Sequence, residues 1–282
     1  MNHPDQSIYR AVSNALEEDI QSGDVTAQLI PEKTMATATI LTRDDMVLCG
    51  REWVDESFHQ LDPSILLTWN MEDGAAVSAN QILVTIQGSA RALLTAERTA
   101  MNFLQTLSAT ATITRQYTEQ IAESHAEILD TRKTIPGMRE AQKYAVHCGG
   151  GTNHRMGLYD AFLIKENHIA ACGSIKSAVE RAREISSNEK IEVEVESINE
   201  LNEAVAAESD VIMLDNFSLQ QMREAVSLNS GRALLEVSGN VSLEQLKDIA
   251  DTGVDYISIG ALTKHVHAID LSMRLSIDSG LS

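Results

Sequence analysis

The sequence predicts an α/β fold in which an N-terminal α+β domain precedes an open or incomplete α/β barrel of the TIM type. From about residue 126 onward, a short apolar strand, a polar or glycine-containing turn and an amphipathic helix recur as a unit. Strands begin at residues 191, 210, 233 and 255, and this spacing leaves room for a helix between parallel strands but not for a hairpin. The residues before 126 lack this repeat, which indicates a separate domain.

The N-terminal region combines long helices with short alternating strands. A helix is predicted over residues 5–21, and alternating apolar residues predict strands over 37–41 and 82–86. The pair Asp73-Gly74 is a turn signal before the second strand. A long helix is predicted from residue 89 to about residue 122. This mixture is typical of an α+β domain.

The barrel region contains six predicted strands, at residues 127–131, 161–165, 191–195, 210–214, 233–237 and 255–259. Three of the helices begin with a capping box, formed by Ser197 with Glu200, Ser218 with Gln221 and Ser242 with Gln245. A parallel barrel is the natural closure of this array. Because six strands are fewer than the eight of a closed TIM barrel, an open or incomplete barrel is the alternative. Residues 261–276 return to a helical pattern. The predicted boundaries are 1–115 for the N-terminal domain, 116–265 for the barrel and 266–282 for a C-terminal helix that packs back on the N-terminal domain.

Composition excludes several classes of function. Twenty-two Lys and Arg stand against 41 Asp and Glu, a net charge of −19, which argues against binding to nucleic acid or to an anionic membrane surface. The three cysteines include no C-x-x-C pair, which argues against a disulfide framework and a thiolate zinc site. No signal-peptide pattern or long apolar run is present. We therefore expect a cytoplasmic protein.

A local excess of positive charge lies between residues 131 and 165. Its cations are Arg132, Lys133, Arg139, Lys143, Arg155 and Lys165. Arg139 and Lys143, four residues apart on a helix, are interpreted as a solvated basic face. Arg132 and Lys133 follow the first predicted strand, and Lys165 ends the second. Arg155, together with His154, follows the glycine triplet at residues 149–151. Because the C-terminal strand ends of a parallel barrel form its active-site face, we predict a site there for an anionic small molecule.

Carboxylates also occupy predicted strand ends. Alternation places Glu192, Glu194 and Glu196 on one face of their strand. Either these side chains look into the barrel, where an unpaired charge is unfavourable, or one end of the strand is solvated; for Glu192 and Glu196 both remain open. Asp215 follows the next strand, and a turn carboxylate is its alternative role. Paired carboxylates at strand ends fit Mg²⁺, which also binds substrate phosphates.

Glycine-containing turns follow the last two predicted strands. Ser238 and Gly239 follow the first of them, and Gly260 follows the second. Glycine lets the backbone approach a ligand closely, and the N–H groups that open a helix bind phosphate. Loops after the late strands of TIM barrels often hold phosphate, so the two turns together favour a phosphate site.

A family resemblance is carried by residues 129–169, which read LDTRKTIPGMREAQKYAVHCGGGTNHRMGLYDAFLIKENHI. This stretch resembles the signature region of the quinolinate phosphoribosyltransferase family. The resemblance continues through IEVEVES, IMLDN, LEVSGNV and GVDYISIGALTKHV, and it includes LLTAERTAMNFLQTLS near the N-terminus. It covers most of the chain. Ala96 and Ala109 depart from it, since the family pattern has glycine at both positions.

The resemblance implies a fold, an assembly and a reaction. The implied fold is an N-terminal α/β domain beside an incomplete, seven-stranded α/β barrel, in homodimers, or alternatively hexamers, whose sites are completed across the interface. The implied reaction transfers the phosphoribosyl group of 5-phosphoribosyl 1-pyrophosphate to quinolinate with decarboxylation. Its products are nicotinate mononucleotide, pyrophosphate and carbon dioxide, in de novo NAD biosynthesis, with Mg²⁺ as the cofactor.

The resemblance also implies residue roles. Arg98 resembles the arginine that completes the neighbouring subunit's site, and the rest of the quinolinate clamp is similar to Arg132, His154 and Arg155. The residues that match contacts to both substrates are Lys133 and Lys165.

The remaining implied roles concern the phosphoribosyl group. Glu194 and Asp215 resemble the carboxylates that bind the ribose hydroxyls and Mg²⁺. Ser238, Gly239 and Gly260 match the positions around the ribose 5-phosphate. The predicted catalytic residues are Lys133, Glu194 and Asp215.

Two other functions remain open at this point. A related phosphoribosyltransferase could use nicotinate without decarboxylation, although a monocarboxylate would leave one or more of Arg98, Arg132 and Arg155 unpaired. A metabolite-binding barrel without turnover would have no need for Lys133 and a metal site. Protection against thermal unfolding by quinolinate but not by nicotinate would separate these functions from the expected one.

Overall fold

The fold is that of a computed structural model, which describes residues 4–239 and 241–277. The strands, in chain order, are β1 (Met35–Thr42), β2 (Met46–Val47), β3 (Leu66–Trp69), β4 (Ala76–Val77), β5 (Ile82–Ser89), β6 (Glu127–Leu129), β7 (Phe162–Ile164), β8 (Ile191–Val195), β9 (Val211–Asp215), β10 (Leu234–Ser238), β11 (Tyr256–Ser258) and β12 (Leu271–Ile277). The helices are α1 (Pro4–Ile20), α2 (Arg51–His59), α3 (Ala90–Gln120), α4 (Arg139–Cys148), α5 (Glu166–Cys172), α6 (Ile175–Ile185), α7 (Ile198–Ala206), α8 (Leu219–Asn229), α9 (Leu246–Ala250) and α10 (Ala261–Lys264). Among these elements, no helix is long and apolar enough to cross a membrane.

The chain divides into two compact units. The first comprises Met1–Ile113, Ile135–Gly150 and His265–Ser282, and the second comprises Thr114–Thr134 and Gly151–Lys264. The sequence placed residues 135–150 in the barrel domain, but this segment belongs to the first unit. The reason is its packing, because Ala141 and Ala145 of α4 join an apolar cluster that includes Val12 and Leu107.

The first unit is built on an antiparallel sheet of four strands, in the order β12-β1-β5-β3, with a small β2-β4 pair. Apolar residues of β1, β5 and α3 form its buried core, among them Ile40, Ile86 and Leu93. These elements match the α+β pattern predicted from alternating strands and long helices.

The predicted C-terminal helix is wrong over most of its length. Only α10 is helical, and β12 pairs antiparallel with β1 from Leu271 to Ile277. Alternate residues Leu271, Met273 and Leu275 contribute to the core of the first unit, so the period of this segment is two rather than that of a helix. Residues 278–282, the end of the predicted helix, lie outside the described residues.

The second unit contains an all-parallel sheet of six strands, in the order β6-β11-β10-β9-β8-β7. Each of the six predicted barrel strands is present. The first strand of the unit, β6, lies beside its last strand, β11, as it does in a barrel, and β6 and β7 are the two edges of the sheet. A single parallel bridge from Leu129 to Thr152 occupies that side of β6. The seven strands that the family resemblance implied are thus six strands and a bridge among the described residues.

The interpretation of Arg139 and Lys143 as a solvated face is also wrong. Lys143 is fully buried and Arg139 is half-buried. The cause is that α4 is covered on more than one side, since Gln142 and Val146 are buried as well.

Candidate active site

The side chains predicted for the barrel site gather at one edge of the parallel sheet, because parallel strands all end on the same side. Those within two residues of a strand end are Lys165 after β7, Glu194 in β8, Asp215 at the end of β9, Ser238 at the end of β10 and Gly260 after β11. Arg132 and Lys133 follow β6. The sheet therefore brings positive and negative groups to one place.

A buried triad of His154, Glu192 and Glu236 lies inside this edge. Nε2 of His154 lies 2.9 Å from Oε2 of Glu192 and 3.4 Å from Oε2 of Glu236. The side chains of Glu192 and Glu236 are only 6% and 1% exposed. Two carboxylates beside one imidazole nitrogen at these distances favour a proton on Nε2, which can then be donated to them.

Burial and charge act in opposite directions on this triad. Burial disfavours the charge on His154, but the hydrogen bonds and charges of Glu192 and Glu236 outweigh it and raise the pKa of His154 to about 10. Burial also raises the pKa of Glu192; the hydrogen bond from His154 opposes this effect, and the negative charge of Glu236 adds to it. The triad therefore holds His154 as an imidazolium at neutral pH.

The segment that carries His154 is fixed by a buried aspartate. Oδ2 of Asp130 accepts a hydrogen bond of 2.6 Å from Nδ2 of Asn153, and Oδ1 accepts one of 3.0 Å from the backbone N–H of His154. Asp130 is fully buried after the end of β6. It therefore ties residues 153–154 to the strand that precedes the first cations.

The guanidinium groups of Arg132 and Arg155 lie close enough for their positive charges to repel each other. Burial lowers the pKa of Arg155, and the positive charge of Arg132 lowers it further, while the charge of Glu192 acts in the opposite direction. Arg155 also donates to the carbonyl oxygen of Ala161 over 3.4 Å. Two cations that repel each other in a partly buried place favour an anionic ligand between them.

Carboxylates on neighbouring strands form the acidic part of the edge. Lys165 Nζ donates to Oε2 of Glu194 in a short ion pair. Nδ2 of Asn216 donates to Oδ2 of Asp215 over 2.8 Å. The other oxygen of each carboxylate lies outside these two hydrogen bonds, and such oxygen donors suit a hard cation.

Lys133 is held from two sides. Its backbone carbonyl accepts a hydrogen bond of 2.8 Å from Oγ1 of Thr263, and its backbone N–H donates to Oγ1 of Thr131 over 3.1 Å. Its side chain passes over Gly260, where an added Cβ would lie 2.9 Å from Cδ and 3.6 Å from Nζ of Lys133. The glycine after β11 therefore makes room for the lysine.

The turn after β10 is restricted to glycine. Gly239 has a φ of +118°, and an added Cβ would lie 2.5 Å from Oδ1 of Asn216. The backbone N–H of Asn216 also donates to the carbonyl oxygen of Ser238 over 3.1 Å. A cavity of about 370 Å³ lies beside these residues, so the two strand ends border an open space.

Arg98 belongs to the other unit. It lies on α3 with an exposed side chain and lines a cavity of about 250 Å³ together with Glu18 and Asp19. The other predicted site residues all belong to the second unit.

Sequence reasoning left part of the barrel interior unassigned. Glu192 was an open case and is buried, whereas Glu196 is exposed. Glu236 and Asp130 were missed. The available signal for Glu236 was its place between Leu235 and Val237, where alternation points it away from the apolar face in the same way as the glutamates of β8.

Family models match nearly the whole chain. Residues 24–108 match the N-terminal domain, and residues 110–274 the C-terminal domain, of quinolinate phosphoribosyl transferase. A relative in Mycobacterium leprae, named nicotinate-nucleotide pyrophosphorylase (carboxylating), is 42% identical over 274 residues, which are 94% of this chain and 95% of the relative.

Two further similarities extend over most of both chains compared. Quinolinate phosphoribosyltransferase (decarboxylating) 1b of Nicotiana tabacum is 37% identical over 300 residues, covering 99% of this chain and 85% of the relative. The solved structure of the nicotinate-nucleotide pyrophosphorylase from Francisella tularensis has a TM-score of 0.95 and 49% identity, with 98% of each chain covered.

Proposed function

The chain belongs to the quinolinate phosphoribosyltransferase family, and we propose how its residues carry out that family's reaction. The enzyme transfers the phosphoribosyl group of 5-phosphoribosyl 1-pyrophosphate to quinolinate with decarboxylation. Nicotinate mononucleotide, pyrophosphate and carbon dioxide are the products, in NAD biosynthesis. The observation that carries the residue assignment is the group of three cations formed by Arg132, Arg155 and the imidazolium of His154 in an acidic protein.

Quinolinate is a dianion, and these three cations bind and orient its carboxylates. The lone pair of the pyridine nitrogen then forms the bond to the anomeric carbon of the ribose, while the bond to pyrophosphate breaks through an oxocarbenium-like state. Lys133 and Lys165 lie at the same edge and stabilise the negative charge that develops on the leaving pyrophosphate. Positioning supplies the rest, so the chain needs no protein nucleophile.

Decarboxylation follows from the charge on the ring. Once the ring nitrogen is bonded to ribose it is cationic, and the electron pair of the breaking C–C bond stays on the adjacent ring carbon, which that charge stabilises. A proton then replaces the lost carboxylate. Arg132, Arg155 and His154 hold the second carboxylate, which remains in nicotinate mononucleotide.

Glu194 and Asp215 are the residues that would hold Mg²⁺. The fit rests on the donor set, since both are carboxylates on neighbouring strands and each has an oxygen outside its hydrogen bond to Lys165 or Asn216. When bound, Mg²⁺ supplies charge neutralisation of the pyrophosphate. Ser238, Gly239 and Gly260 border the place proposed for the ribose 5-phosphate.

We also propose a homodimer, with a hexamer as the alternative, in which Arg98 completes the neighbouring subunit's site. The exposed position of Arg98 on α3 supports this proposal, together with its match to the family's motif. A reducing compartment such as the cytoplasm is the proposed location, which the three free cysteines support.

The test is an assay of the purified protein with quinolinate, 5-phosphoribosyl 1-pyrophosphate and Mg²⁺, in which carbon dioxide and nicotinate mononucleotide are followed together. Equal formation of both, lost when the metal is chelated, is expected. Nicotinate in place of quinolinate is the matched control. Formation of nucleotide from nicotinate, or full activity without metal, would contradict the proposal.

A further inference from the structure

A second group of metal-ligating side chains lies within the first unit, and the reaction described above does not use it. Sγ of Cys49, Sγ of Cys148 and a carboxylate oxygen of Asp73 all lie within 4.8 Å of one another. Cys49 follows β2, Asp73 lies between β3 and β4, and Cys148 is the last residue of α4. Three distant parts of the chain therefore converge on one point.

We propose that Cys49, Asp73 and Cys148 form a binding site for a thiophilic divalent cation of the zinc type. Bonds of about 2.3 Å from Zn²⁺ to sulfur at a tetrahedral angle place two thiolates about 3.8 Å apart. The donor atoms of the three residues all lie within 4.8 Å of one another, which is close to this separation. The absence of a C-x-x-C pair in the sequence had argued against a thiolate zinc site, and the fold supplies the proximity that the spacing lacked.

The ligand residues are held in place by their neighbours. Tyr144 donates its hydroxyl hydrogen to Oδ2 of Asp73 over 2.9 Å, and the backbone N–H of Gly50 donates to the same oxygen over 3.2 Å. The backbone of Cys49 is tied at both its N–H and its carbonyl to Oγ of Ser108, each over 3.1 Å. Hydrogen-bonded ligands of this kind are typical of metal sites, since such partners orient the donors.

The charge of the cluster suits a cation, because the carboxylate of Asp73 lies beside both thiols. A bound divalent cation turns this carboxylate into a stabilising ligand and balances the charge of the thiolates that bind it.

Burial also indicates how a cation would enter. Cys49 is fully buried, while Cys148 and Asp73 are each partly exposed. The site is therefore closed on one side and open on the other. Three protein ligands with a water in the fourth position is an arrangement that zinc adopts in proteins.

The first experiment titrates the reduced, metal-free full chain with Co²⁺ as a spectroscopic substitute for Zn²⁺. Thiolate-to-cobalt charge transfer gives near-ultraviolet absorption that the oxygen donors of Glu194 and Asp215 cannot give, so this signal is independent of the proposed magnesium site. We expect one equivalent of Co²⁺ to produce it and Zn²⁺ to displace it. Absence of the band would overturn the proposal, whatever the outcome for catalysis.

Substitutions of the proposed ligands show which residues give rise to the thiolate-to-cobalt absorption band. Cys49→Ser and Cys148→Ser are each expected to abolish it, and Tyr144→Phe to weaken Co²⁺ binding about tenfold by freeing Asp73. Cys172→Ser is the matched control, because Cys172 is exposed and should leave the titration unchanged. A band that depends on Cys172 instead would overturn the proposal.

A second measurement avoids variants that fail to fold. The unaltered chain is alkylated with iodoacetamide with and without Zn²⁺, and the modified cysteines are counted by peptide mass spectrometry. Zn²⁺ is expected to protect Cys148 while Cys172 in the same molecule reacts equally in both samples. Equal labelling of Cys148, or recovery of a Cys49–Cys148 disulfide that Zn²⁺ does not prevent, would contradict the site.

Discussion

Nε2 of His154 lies 2.9 Å from a carboxylate oxygen of Glu192, and both side chains are largely buried. Because little solvent separates them, the carboxylate acts on the imidazole with little screening. Glu236 adds a second negative charge 3.4 Å from the same nitrogen. The barrel interior thus keeps His154 in its cationic form at neutral pH, as its role in the proposed quinolinate clamp requires.

The first prediction concerns pH. The two glutamates raise the pKa of His154 from its ordinary value of 6.5 to about 10, so the affinity for quinolinate should stay constant through pH 6.5 and weaken only as the pH approaches 10. The same raised pKa contributes folding stability that is fully present below pH 6.5 and is lost as the pH rises through 10. Calorimetric binding of quinolinate across this range checks the affinity.

A control is needed to separate His154 from the other charged groups of the protein. The difference between the natural chain and His154→Gln isolates the contribution of His154, and the nuclear magnetic resonance signals of its ring report the protonation directly. A midpoint for His154 near 6.5 would show that the glutamates do not hold the proton.

The second prediction assigns Glu192 and Glu236 to the positioning of His154. Glu236→Gln keeps the shape of the side chain but removes its charge, so the pKa of His154 should fall and the KM for quinolinate should rise about tenfold, by loss of one charge-assisted interaction. Glu192→Gln should act in the same direction. Steady-state kinetics with each substrate varied in turn would measure the effect.

The matched control is Glu196→Gln, which removes an exposed carboxylate directly after β8, the strand that carries Glu192. It should change neither the pKa of His154 nor the KM for quinolinate. The KM for 5-phosphoribosyl 1-pyrophosphate should also stay unchanged in Glu236→Gln. An equal rise in both KM values would instead point to general loosening of the barrel.

The third prediction concerns Gly260. An added Cβ would lie 2.9 Å from Cδ of Lys133, so Gly260→Ala should displace the lysine and lower kcat without unfolding the protein. Activity and thermal unfolding of Gly260→Ala, Lys133→Ala and the double variant form a cycle that isolates this contact. If the steric effect acts through Lys133, the alanine at 260 should have little further effect once Lys133 is removed.

Additive losses would contradict the third prediction. They would mean that Gly260 lets the substrate phosphate approach the backbone closely, rather than making room for the side chain of Lys133.

The sequence predicted the barrel strands because each is a short apolar or alternating run that a helix follows, and the parallel sheet uses this local signal directly. It did not predict that residues 135–150 leave the barrel, because this depends on the packing of Ala141 and Ala145 with distant residues. The strand at Leu271–Ile277 was mistaken for a helix for a similar reason, since its pairing partner lies more than two hundred residues earlier in the chain.

The candidate site likewise contains residues that could be placed from the sequence and residues that could not. Lys133, Lys165 and Asp215 could be placed from sequence because they stand at or beside strand ends. Glu236 could not, because a single acidic residue within an apolar strand acquires its role only when the fold brings His154 to it.

The last prediction tests whether Arg98 acts across subunits. Arg98→Ala and Arg155→Ala should each be nearly inactive alone, since each removes one cation from every site. In a mixed dimer, the barrel of the Arg98→Ala chain is intact and receives Arg98 from its partner, while the other barrel lacks both arginines. One of its two sites is therefore complete. Random mixing of equal amounts makes half of the dimers mixed, so about a quarter of the wild-type activity should return after the subunits are exchanged. If Arg98 served its own subunit, both sites of the mixed dimer would lack one arginine and no activity would return.

Mixing Arg155→Ala with Lys133→Ala is the control, because both changes lie in the barrel. Each barrel of that mixed dimer is defective, so this pair should stay inactive whether Arg98 serves its own subunit or the neighbouring one.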